Sequence, residues 1–81
     1  MNIVLQGSFA TRQEFFDLLG SAAWGLDRPA PTNLDGMADL IRETGIDKIS
    51  IRGSWSLPKE ETERLEEVCA DLSVNLRFET A

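Results

Sequence analysis

The sequence predicts an α/β fold: a small three-stranded parallel sheet with helices packed mainly on one face, in the order β-α-α-β-α-β. Three observations predict it. Lys48–Arg52 and Val74–Phe78 alternate polar and apolar residues, the pattern of half-buried strands. Ile3-Val4-Leu5 is a short apolar run closed by Gly7, which suits a buried strand. Three stretches with helical apolar spacing separate these segments. Strands joined by helical crossovers pair in parallel.

Each helix carries its own signals. Thr11 with Glu14 three residues on forms a capping box, and Phe15, Leu18, Leu19, Ala22 and Ala23 follow at helical spacing. The next stretch, PAPTNLDGMADLIRE over 29–43, mixes turn and helix signals. Its prolines belong to an entry loop. Thr32 or Asn33 caps a helix that begins at about Asn33, with Leu34, Met37, Ala38 and Ile41 on its apolar face and an exit at Thr44-Gly45. Residues 53–57 read as a loop. Pro58 suits the first turn of a third helix, whose apolar face is Leu65, Val68, Cys69 and Leu72.

The chain has 81 residues, enough for one domain, and a formal net charge of −6. That balance disfavours nucleic acid and anionic membrane surfaces and favours a basic partner. No segment is long and apolar enough to span a membrane, and MNIVLQGS lacks the basic start of a signal peptide. The single cysteine, Cys69, fits a reducing compartment and sits on an apolar helix face as a core residue. A cytoplasmic location is expected. Histidine is absent, no glycine-rich phosphate loop follows a strand, and no nucleophile motif is present. The chain is read as a binding protein and not an enzyme, with no cofactor and no metal site. An acyl carrier would need a serine where Asn33 stands.

The acidic residues are unevenly placed. The second helix holds Asp35 and Asp39 four residues apart, followed by Glu43. An acid in the first turn favours the helix dipole by about 0.3–1 kcal/mol, which accounts for Asp35. Asp39 is less easily explained, because a like charge at i−4 costs a few tenths of a kcal/mol; an ion pair with Arg42 is the alternative to a binding role. Gly36 either tolerates the first helical turn or admits a partner close to the backbone. The third helix lines up Glu60, Glu63, Glu67 and Asp71, with Glu66 to one side, a pattern that also suits a solvated face. Trp24 and Trp55 are lids on the core or interface anchors.

The segment Asn33-Leu34-Asp35-Gly36-Met37-Ala38-Asp39-Leu40-Ile41 resembles the NLDALWDxL signature of barstar-like ribonuclease inhibitors. The element order agrees with that family across nearly the whole chain. The resemblance implies an intracellular inhibitor, an immunity protein or antitoxin, whose signature helix and preceding loop block the basic active site of a small secreted or toxin ribonuclease. It implies a partner-binding set of Pro31, Thr32, Asn33, Asp35, Gly36, Asp39 and Glu43. Asp39 would enter most deeply, and Glu66 or Glu67 on the last helix would add a contact. The chain departs from the family pattern at Pro29-Ala30-Pro31-Thr32, where aromatics and a glycine are usual, and at Ala38, where the signature has tryptophan. A helix usual between the second strand and the last helix is also missing. The alternative reading is an acidic interaction module on the same fold with a partner that is not a nuclease.

Overall fold

The computed structural model describes residues 1–25 and 27–79. Its elements are β1 (Asn2–Phe9), α1 (Arg12–Ala23), α2 (Leu34–Thr44), β2 (Lys48–Trp55), α3 (Lys59–Asp71) and β3 (Asn75–Glu79), the predicted order. The strands form one parallel sheet, β1-β2-β3, with β2 in the middle. The register sets Ile3 beside Ile49 and Leu76, and Leu5 beside Ile51 and Phe78. Side chains alternate faces along a strand, so these rows share one face of the sheet.

The helices cover that face. α1 packs on β1, α3 packs on β3, and α2 lies against both helices. Phe15, Phe16 and Leu19 from α1, Met37, Leu40 and Ile41 from α2, and Leu65 and Cys69 from α3 close over Ile3, Leu5, Phe9, Ile49 and Ile51. Each large apolar side chain fully buried in this way contributes about 1.5–3 kcal/mol. On the opposite face Asn2, Val4, Gln6, Arg52, Asn75 and Arg77 are exposed. Ser50 differs from the expected open pattern, being only 4% exposed. It sits on the central strand, with Val4 and Arg77 as its register partners on either side.

Two boundaries differ from expectation for one reason. Gly7 does not end β1, and residues 53–55 are not a loop. Both strands continue to Phe9 and Trp55, because Gly7 and Gly53 are register partners. Gly53 has φ +113° and lies against the Gly7 carbonyl, an approach that leaves no space for a Cβ. The buried stripe of α1 is also rotated from the predicted one. Phe16 and Gly20 are buried, whereas Leu18 and Ala22 are exposed. Gly20 is drawn inward because the segment before α2 crosses α1 there: a Cβ at Gly20 would lie 2.9 Å from the Ala30 Cβ. Trp55 is a half-buried lid. Its ring meets Phe9, Phe15 and Phe78 at centroid distances of 5.4, 5.8 and 4.9 Å, and its Nε1–H donates to Thr62 Oγ1 at 2.9 Å.

Candidate partner-binding site

Helix α2 is well defined at both ends. Asn33 is extended at φ −152°, ψ 174°, and its Oδ1 accepts from the Gly36 amide at 2.7 Å, satisfying one of the free N–H groups of the first turn. Thr32 does not serve as the cap. At the other end Gly45, at φ 71°, donates its amide to the Ile41 carbonyl at 3.0 Å. The Asp-Gly pair is therefore the exposed first turn of a helix and not a β-turn.

The entry loop is clamped. Pro31 is buried, and its carbonyl accepts from Gln13 Nε2 of α1 at 3.1 Å. On one side the loop rests on Gly20. On the other, a Cβ at Gly36 would lie 3.3 Å from Asn33 Oδ1 and 3.4 Å from Pro31 Cβ. A Cβ at Gly36 would thus crowd the Asn33 cap and touch the loop, which favours a glycine there. Thr32 and Asn33 are the loop residues left facing solvent beside α2.

Asp35 and Asp39 project from α2 into solvent, one turn apart. The Asp39 carboxylate is 74% exposed and meets Arg42 Nη1 at 3.4 Å. An exposed i,i+3 pair of this kind is worth less than about 1 kcal/mol, so Asp39 remains free to change partners.

Glu43 is placed differently. Arg28 grips its carboxylate with two bonds, Nη1 to Oε1 at 2.6 Å and Nη2 to Oε2 at 3.3 Å, while the guanidinium lies 3.9 Å above the Trp24 ring. The interloop segment after α1 is strapped to the end of α2 by this Trp24–Arg28–Glu43 stack. The hydrogen bond from Arg28 lowers the Glu43 carboxyl below its ordinary value of 4.5, against an opposing push from desolvation. A carboxyl lowered on folding contributes stability that is present above its unfolded value and is lost as pH falls through its folded value. Acidification below pH 4.5 is therefore expected to release the strap. The Trp24 indole N–H resonance should shift with an apparent pKa below that value, and the shift should vanish in Arg28→Ala.

On α3, Glu67 and not Glu66 turns toward α2. Glu67 lines a groove of about 440 Å³ with Leu34, Glu60, Glu63, Arg64 and Val68. Leu34 immediately precedes Asp35, so the groove opens beside the first turn of α2. Glu66 instead lies near Cys69, whose thiol is pushed up to about 11 by burial and then by the Glu66 charge. Cys69 is thus a protonated core residue at neutral pH. Among the described residues no group of three or more His, Cys, Asp or Glu is placed to hold a metal ion, and no helix is long and apolar enough to cross a membrane.

No family model, curated protein or solved structure matches this chain. The structure places Pro31, Thr32, Asn33, Asp35, Gly36 and Asp39 together in the entry loop and first half of α2, with Glu67 across the groove. Glu43 is engaged by Arg28, and Glu66 lies apart from the groove. The sequence reading did not single out Gly20, Gln13 or Arg28 as supports for this site. Each acts between segments distant along the chain, which local spacing does not reveal.

Proposed function

We propose that the protein is a barstar-like inhibitor that blocks the basic active site of a small ribonuclease with α2 and its entry loop. The observation that carries the reading is the clamped loop leading into a helix start whose Asp35 and Asp39 are exposed and free to pair. A ribonuclease gathers cationic side chains to hold phosphate, and carboxylates on a rigid helix can satisfy those donors while offering no bond to cleave. The groove beside Leu34, lined by Glu60, Glu63 and Glu67 against the single cation Arg64, adds a second surface of net negative charge suited to a lysine or arginine from the same partner. The charge of −6 speeds encounter with a cationic enzyme.

The test is a binding titration against a panel of small basic ribonucleases, paired with an RNA-cleavage assay. Asp39→Lys is expected to weaken binding by about 30-fold or more, since charges fully desolvated at an interface cost about 2–5 kcal/mol when lost. Asp71→Lys, at the far end of α3, should change affinity only slightly. Equal losses at the two positions would defeat the plug model.

A specific observation favours a second reading. The loop offers Ala30 and Thr32 in place of aromatic anchors, and α2 carries the small Ala38. An acidic interaction module that captures a basic protein other than a nuclease would need only the charges. Binding to such a protein with the same Asp39 dependence, and none to any ribonuclease, would select it.

A further inference from the structure

β1 is an edge strand, paired with β2 along one side only. The Met1 and Phe9 carbonyls point toward β2, where they accept from the Asp47 and Ser56 amides at 3.0 and 2.8 Å. Backbone groups alternate sides along a strand, so the N–H and C=O of Asn2, Val4, Gln6 and Ser8 face away from the sheet. Among the described residues, no turn, loop or cap bonds to them.

Proteins blunt such edges with charges, prolines or bulges. β1 has none of these. It is eight residues long, NIVLQGSF, and is the one element of the fold with no ionisable side chain. The other edge, β3, carries Arg77 and Glu79. The exposed large apolar side chains also gather at β1. Met1 and Val4 are 51% and 52% exposed, and Leu18, 36% exposed, lies 3.3 Å from where a Gly7 Cβ would stand.

We propose that β1 is a self-association edge, at which two copies pair their β1 strands antiparallel about a two-fold axis and form one continuous sheet. The absence of charge on β1 fits a second copy as the occupant. Two chains of net charge −6 repel each other overall, and β1 itself brings no side-chain charge to the contact. A cationic partner is drawn instead to α2 and α3. The register is self-complementary. Centred on Leu5, antiparallel pairing sets Val4 opposite Gln6 of the second copy and Asn2 opposite Ser8 of the second copy, so the outward-facing backbone groups meet one another. The two Val4 side chains then become diagonal neighbours on the open face. On the helix side, Met1 of one copy comes opposite Phe9 of the other, near Leu18.

The test combines sedimentation equilibrium with amide hydrogen exchange, from micromolar to millimolar protein. The mass is expected to rise from 9.0 kDa toward twice that value. The amides of Val4, Gln6 and Ser8 should slow in parallel. Val4→Lys, at an exposed position, should keep the far-ultraviolet circular dichroism of the native chain and weaken association by about tenfold or more. Asn75→Lys, on the opposite edge, should leave association unchanged. A mass of one chain throughout the range, association without protection of those amides, or native association in Val4→Lys would each overturn the proposal.

Discussion

Gly53→Ala is expected to destabilise the protein by roughly 3 kcal/mol or more, combining backbone strain of about 1–3 kcal/mol with a steric conflict. Gly53 has φ +113°, and a Cβ there would press into the Gly7 carbonyl while lying 3.1 and 3.3 Å from the Gly7 carbonyl carbon and amide nitrogen. The obstacle is backbone in a paired strand, which no rotamer change can move. Relief requires β1 to part from β2 at Gly7–Gly53, which opens the end of the ladder where Phe9 pairs with Trp55. Gly45→Ala is the matched control. It also has a left-handed φ, 71°, but nothing lies within 4 Å of its Cβ position. It should lose only the preference for glycine, about 1 kcal/mol. Urea denaturation of the two variants should show the larger loss at Gly53, where the close approach adds to the backbone strain; equal losses would show that the close approach carries no penalty.

Phe15→Ala should cost about 3–5 kcal/mol, the usual range for emptying a large buried aromatic site. Phe15 is fully buried, and its ring stands 6.4, 6.1 and 5.8 Å from those of Phe9, Phe16 and Trp55. It joins α1 to the C-terminal ends of β1 and β2. A domain is stabilised by about 0.05–0.15 kcal/mol per residue, so for a chain this short the loss is a large fraction of the total. Near-ultraviolet circular dichroism should lose its aromatic signal and Trp55 emission should shift to the red. Phe15→Leu, which keeps much of the volume, should fold with a smaller loss. A native melting curve for Phe15→Ala would show that the cavity collapses without penalty.

These two residues also mark where the sequence was informative. Phe15 was legible because it follows the Thr11–Glu14 capping box at helical spacing, and both bonds of that box form. A cap at Thr32 or Asn33, the Gly45 exit and the alternation at Lys48–Arg52 were legible for the same reason, since each signal lies within a few residues; that Asn33 is the cap came from the structure. Gly7 and Gly53 were misread as strand ends, because their meaning lies in facing each other across β1 and β2. The same limit governed the candidate binding surface. Asp35 and Asp39 could be placed on one exposed helix face from spacing alone. That Glu67 and not Glu66 borders the groove, and that Glu43 is held by Arg28, depends on how α2 meets its neighbours.

The clamp on the entry loop has a consequence for how this surface can diversify. Pro31 is fixed from inside by Gly20, Gln13 and Gly36, whereas Thr32, Asp35 and Asp39 only look outward. The residues that hold the loop's shape are not the residues a partner would read. On the proposed inhibitor reading, exchanging the outward set would redirect the protein to a different target without renegotiating the fold. A newly chosen target would also meet a loop already ordered before contact, so little conformational freedom is given up on docking.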